Sequence, residues 1–416
     1  MTMNPFDEKG KKIENTYENW QRLNPAPYDK YATDPYTKTR IILMNGAEME
    51  AVRFSHAFAR ACPNNDLRRA LAELRRTEAQ QQKKLQALKP KDETILESTL
   101  SYEQLAVDLT AELARKEPNA SVRYQLIFAL LEDFDHLYRF SDLLEQDSKE
   151  TFDLLIGHYT EIMPGRPTIA EHRYPDDDVR YPVDFHTADI STRLAVNAIT
   201  AAEQQTMNFY MNVGAFYPSA QGRKLFNEIA MIEEQHVSGY ESLLDPSATM
   251  LENLLIHEYA ECYLYYSCYT DETDEKVKKI FEKHFEDEVT HLHFAAALLK
   301  KYEGKHWQQV IPTGEFPPLL RLHSNKDFIR EVLKSVRLTS LKEGYVELKD
   351  LPSSADFFRY QKKVNGSGRH TPSHAFMARY IAKNGQDFRY EEKPHPIVPL
   401  RRRDEDNCRI ARTKDA

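Results

Sequence analysis

Six residues between positions 203 and 291 have the types and spacing of a metal site: Glu203, Glu233-x-x-His236, Glu258 and Glu288-x-x-His291. Residues three apart on a helix share a face, so each Glu-x-x-His aims a carboxylate and an imidazole the same way. The register repeats: Glu203 to Glu233 spans 30 positions, and Glu258 to Glu288 spans 30 again. Four carboxylates and two imidazoles are the donor set for two iron or two manganese ions inside a four-helix bundle. A lone Glu-x-x-His says little in a chain with 15 histidines. Glu392-Lys393-Pro394-His395 is such a coincidence, because proline bars it from a helix interior.

The same order occurs upstream in weaker form: Glu50, Glu78-x-x-Gln81, Glu103 and Asp133-x-x-His136. Gln81 is a poorer iron ligand than histidine, and Asp133 reaches less far than glutamate. The flanks of the downstream set are apolar. Glu233 follows FNEIAMI, and Glu258 lies between LENLLI and YAECYLYY. These glutamates are therefore expected to be buried, where an uncompensated charge is costly and a metal ion is one remedy. Glu234, Glu286 and Asp287 are expected to face solvent. Glu261 competes with Glu258 for the third-helix position, and the upstream copy favours Glu258, because Glu103 matches it whereas Ala106 matches Glu261. Of the tyrosines near the motifs (Tyr210, Tyr240, Tyr259, Tyr263, Tyr265, Tyr266), Tyr240 is the candidate to support the site and the rest read as core aromatics. Cys262 and Cys268 read as small buried hydrophobes.

Positioning such a site takes helices. Apolar residues at three- and four-residue spacing mark them at about 39–62, 67–88, up to Lys116, 120–146, 191–216, 221–244, 249–270 and 274–302. Asp66 is expected to cap the second. The breaks at 63–66, 118–119, 217–219, 245–247 and 270–273 are short, and short loops join antiparallel neighbours. A shift of 155 residues aligns the second, third and fourth helices of each half, while matching Glu50 to Glu203 needs 153. The expected organisation is all-α: an irregular arm at 1–38, a first four-helix bundle with a degenerate site at 39–164, a linker at 165–190, a second bundle with the main site at 191–303, and an extension at 304–416. Both bundles are expected to run up-down-up-down. The alternative assembly joins the second and third hairpins, grouping Glu103, Asp133, His136, Glu203, Glu233 and His236.

Composition limits the other possibilities. Hydrophobic residues at 41% and charged residues at 29% suit a globular protein, and 13 glycines in 416 residues argue against an all-β fold. A net charge of -9 disfavours a nucleic-acid surface. No apolar run is long enough to span a membrane, and the polar N-terminus has no signal-peptide core, so a cytoplasmic location is expected. The four cysteines are scattered and form no CxxC pair.

The ligand order resembles that of the ferritin-like di-metal carboxylate superfamily, which includes rubrerythrins and di-iron oxygenases. The resemblance covers about 190–303 well and 39–146 in degenerate form. It implies that Glu203 and Glu258 are terminal ligands, that Glu233 and Glu288 bridge, and that His236 and His291 each hold one ion. One departure is the 25 positions from Glu233 to Glu258, too few for the long crossover usual in ferritins. The implied function is a di-iron or di-manganese oxidoreductase or oxygenase acting on dioxygen or peroxide and a small molecule, with an electron donor and a homo-oligomeric state as companions. A peroxide-scavenging or metal-handling protein and a non-catalytic helical scaffold are the alternatives.

Overall fold

The computed structural model describes residues 3–148, 152–162, 173–333, 338–340, 344–346 and 350–366, with 378 and 382. The long helices among them are α1 (Pro35–Ala61), α2 (Asn65–Gln86), α3 (Ile95–Lys116), α4 (Ala120–Asp147), α5 (Ile190–Val213), α6 (Ala220–Glu241), α7 (Met250–Asp271) and α8 (Glu275–Glu303). Shorter helices follow at α9 (Lys326–Leu333) and α10 (Asp356–Asn365). A small antiparallel hairpin pairs β1 (Leu338–Ser340) with β2 (Gly344–Val346). The helical-bundle class expected from periodicity is the class observed. The end of the expected first bundle (163–164), part of the expected linker (165–172) and most of the extension beyond 366 lie outside the described residues.

The helix starts follow local chemistry. Asp34 caps α1 by accepting from the Tyr36 N–H, with Pro35 in the first turn. Asn64, not the expected Asp66, caps α2 through its side-chain oxygen. Asn119 caps α4, Ser219 caps α6 and Asp274 caps α8. Thr94 with Glu97, and Thr249 with Glu252, form capping boxes at the starts of α3 and α7. Asp189 accepts from the Ser191 N–H at the start of α5. Each cap in the second half lies 155 positions after its counterpart, from Asp34 and Asp189 to Asn119 and Asp274. One shift therefore serves all four helices, and the 153 expected for the first is corrected. Gly304 ends α8 in the left-handed region (φ 71°), where glycine has no Cβ penalty.

The chain divides into two compact units, and they are not the consecutive bundles 39–164 and 191–303. The first comprises Met1–Glu93, Pro182–Gln205 and Leu243–Leu322. The second comprises Thr94–Tyr181, Thr206–Ser242 and His323–Ala416. Turns of three residues, such as Cys62–Asn64 and Glu117–Asn119, lock each helical hairpin locally. The eight residues between α2 and α3 impose no such partner, so side-chain packing decides which hairpins combine.

In the first unit α1 lies against α2 and α7, and α8 lies against α7 and α2. The first hairpin thus packs on the fourth. Arg40 of α1 donates to Glu272 at 2.8 Å, and Thr37 donates to the same carboxylate at 2.5 Å, a buried latch at the end of α7. The N-terminal arm covers this bundle as expected: Phe6 stacks on Trp307 with centroids 3.8 Å apart, and the Lys11 N–H donates to Thr290. The segment after α8 is strapped on by Tyr259, whose hydroxyl donates to the Glu315 carbonyl at 2.8 Å.

In the second unit α4 lies against α3 and α6. The C-terminal part of α5 meets α3 through the stacked pair Tyr102 and Phe209, and meets α6 through Tyr210 and Phe226. Gln104 of α3 donates to the Ile156 carbonyl, tying the turn after α4 to the bundle.

Candidate metal centres

Each unit encloses carboxylates and histidines. In the first, Glu78 of α2, Glu258 of α7, and Glu288 and His291 of α8 place one potential ligand atom each within 4.8 Å of one another. Glu48 of α1, Glu78 and Glu261 of α7 form an overlapping group at the same spacing. Glu78 belongs to both. Helix geometry sets the convergence: Glu288 and His291 are three apart on α8, and Glu258 and Glu261 three apart on α7. His291 Nδ1 lies 3.0 Å from Glu78, 3.1 Å from Glu288 and 4.0 Å from Glu258. Gln81 Nε2 donates to Glu288 at 2.6 Å. Tyr265 donates to Glu48, and its hydroxyl is 2.9 Å from His284 Nδ1.

In the second unit, Glu103 of α3, His136 of α4 and Glu233 of α6 form one group; Asp133, Glu233 and His236 form another. Here the shared carboxylate is Glu233. His136 Nδ1 is 3.0 Å from Glu233 and 3.9 Å from Glu103. His236 Nδ1 is 3.3 Å from both Asp133 and Glu233. Its other nitrogen, Nε2, is 2.9 Å from Glu132. A carboxylate there holds the proton on Nε2 and leaves Nδ1 to face the acids, as the supporting residues of metal-bound histidines do. Tyr210 donates to Glu103 at 2.6 Å.

The electrostatics are those of charges crowded in a dry interior. Burial pushes the Glu48, Glu258 and Glu261 carboxyls well above the ordinary range, and the neighbouring Glu78 charge adds to it. Burial lifts Glu288 to about 7 despite His291. Burial also raises Glu78, but His291 outweighs it and holds Glu78 below its usual value. For His291 burial alone would lower the pKa, yet Glu288 and Glu78 raise it well above normal. Burial raises Glu233 too, while His136 and His236 together bring it far down. Both Glu78 oxygens, both Glu261 oxygens and the Nε2 atoms of His136 and His291 are buried without a hydrogen bond. Buried polar atoms are seldom left so. A cation among the carboxylates would satisfy the Glu78 and Glu261 oxygens, so the donors present fit a metal ion.

The expected residues are grouped differently from the reading by halves. Glu258, Glu288 and His291 share the first unit with Glu78 and Gln81. Glu233 and His236 share the second with Glu103, Asp133 and His136. Glu203 is buried on α5 (1% exposed), two helical turns before Tyr210 on the same face. Glu50 is displaced from the site: it is partly exposed and pairs with Arg53 at 3.1 Å. Glu48, 155 positions before Glu203, takes its place. Glu258 and Glu261 both line the first centre. Asp287, expected outside, is buried beside Lys283. Tyr240 is buried on α6 as a core residue, while Tyr210 and Tyr265 reach site carboxylates. Glu132 went unrecognised, its only signal being an acid adjacent to Asp133.

Fold and site together define a helical-bundle protein with buried carboxylate–histidine clusters able to hold metal ions. No family model, curated protein or solved structure matches the chain. No described helix is long and apolar enough to cross a membrane.

Proposed function

We propose that each bundle binds a pair of redox-active ions, iron or manganese, and that the protein is a di-metal carboxylate oxidoreductase acting on dioxygen or peroxide. The observation behind this reading is the sharing of one carboxylate between two ligand groups, Glu78 in the first unit and Glu233 in the second. A carboxylate has two oxygens, so one side chain can serve two adjacent ions. Such ions, when bound, supply electrons to an O–O bond. The chain's own residues hold and orient. Tyr265 and Tyr210 fix the carboxylates of Glu48 and Glu103, Glu132 fixes His236, and the apolar helix faces exclude water.

Peroxide scavenging is a second reading, favoured by closure of the site. Glu48, Glu78, Glu103, Glu233, His236, Glu258, Glu288 and His291 are all at most 1% exposed. The cavity walled by Val183, Phe185, Arg193, Leu243 and Ile256 has none of them in its lining. A closed centre suits a small oxidant better than a bulky organic substrate.

Elemental analysis of the native protein, with oxygen and peroxide consumption by the reduced form, tests both. Metal near two ions per bundle with oxygen uptake dependent on an added small molecule supports the oxidoreductase. Peroxide consumption alone supports the scavenger. Absence of stoichiometric metal leaves a helical scaffold.

A further inference from the structure

The two bundles differ where their ligand patterns otherwise match. In the second, the residue three after Glu233 is His236. In the first, the residue three after Glu78 is Gln81, and its Nε2 is committed to Glu288 at 2.6 Å. The second bundle has Ala106 where the first has Glu261, 155 positions on. The first bundle has therefore lost an imidazole and gained a carboxylate.

Gln81 bonds Glu288 in one ligand group and Glu261 belongs to the other, and the two groups share Glu78. Glu48, Glu78 and Glu261 lie within 4.8 Å of one another with no histidine among them. All three are buried. Neither oxygen of Glu261 has a hydrogen bond, and His257 Nε2 is 4.0 Å away. The Oε1 of Gln81 is likewise buried without a hydrogen bond. The three ligand atoms of that group are all carboxylate oxygens. By contrast, the neighbouring group contains His291, and each group of the second unit contains a histidine, His136 or His236.

Ligand type sorts divalent ions. Imidazole suits iron and zinc, whereas carboxylate and amide oxygen suit magnesium, calcium and manganese. We propose that the Glu48–Glu78–Glu261 group is a hard-cation site that takes manganese(II) while the histidine-containing groups take iron, so that the first bundle holds a mixed manganese–iron pair. This rests on the reading that each bundle binds two ions.

The test uses the full chain, stripped of metal and reloaded without oxygen in equimolar manganese(II) and iron(II). After desalting, elemental analysis should give about one manganese to three iron ions per chain. Gln81→His restores the imidazole found in the second bundle. It should replace the manganese with iron at unchanged total metal. Should that variant fail to fold, Glu261→Ala, which copies Ala106, should lose manganese selectively. Wild-type protein that loads fully but retains no manganese overturns the assignment, as does a manganese fraction that neither variant changes. In both cases paired metal binding still stands. Failure to retain any metal overturns both.

Discussion

Glu78 and His291 meet at 3.0 Å, carboxylate oxygen to imidazole nitrogen, from the first and the last of the four helical hairpins. Their helices, α2 and α8, belong to different hairpins, so the first unit's centre exists only where these hairpins pack together. Substituting either residue should therefore disturb the other. Glu78→Gln and His291→Gln should be strongly non-additive in metal affinity, whereas Glu78→Gln and His136→Gln, in different bundles, should add within about 0.5 kcal/mol. Competition against a metal indicator measures both cycles. Additivity of the first pair would contradict the arrangement.

The shared carboxylates make a stoichiometric prediction. Glu78→Ala and Glu233→Ala should each remove about half of the bound metal, and the double variant nearly all of it. Elemental analysis with circular dichroism as a folding control checks this. Loss of all metal from either single variant would mean that one centre alone is real.

The register of α1 can be tested directly. Glu48→Ala should weaken metal retention, because Glu48 is fully buried and joined to Tyr265. Glu50→Ala should leave retention unchanged and cost at most about 1 kcal/mol of stability, as is usual for an exposed ion pair. Equilibrium dialysis and urea melts of the two variants give the comparison.

Glu132 touches Nε2 of His236, the nitrogen turned away from the site carboxylates. Its removal should lower metal affinity by about 10- to 100-fold without abolishing binding, the usual cost of losing a residue that orients a ligand. Glu132→Gln, which keeps an acceptor for the Nε2 proton, should recover most of the loss. If glutamine and alanine behave alike, the tautomer-fixing role is wrong.

Asp142 of α4 gives a pH signature. Burial raises its carboxyl to about 8, with Arg139 opposing. Because its folded pKa lies above the ordinary value near 4, the folded state holds the proton more tightly. The stability it contributes is full below about pH 4 and is lost as pH rises toward about pH 8. Asp142→Asn should flatten this slope, read from urea midpoints at about pH 5 and about pH 8.

Much was legible along the chain because it is local. The helices, their caps and the acid-x-x-histidine faces depend on residues within one turn of each other, and hydrogen-bond geometry leaves them little choice. The 155-residue recurrence was visible for the same reason, although matching Glu50 in place of Glu48 hid its regularity over α1. Two features were not legible. Which hairpins pair depends on the fit of buried surfaces brought together by connections too loose to dictate it. Which carboxylates converge depends in turn on that pairing. Sequence alone therefore determined the ligand types and the helices that carry them. Packing between distant hairpins decided that Glu78 faces His291 and that Glu233 faces His136, since a site shared among helices has no geometry until their apolar faces have chosen partners.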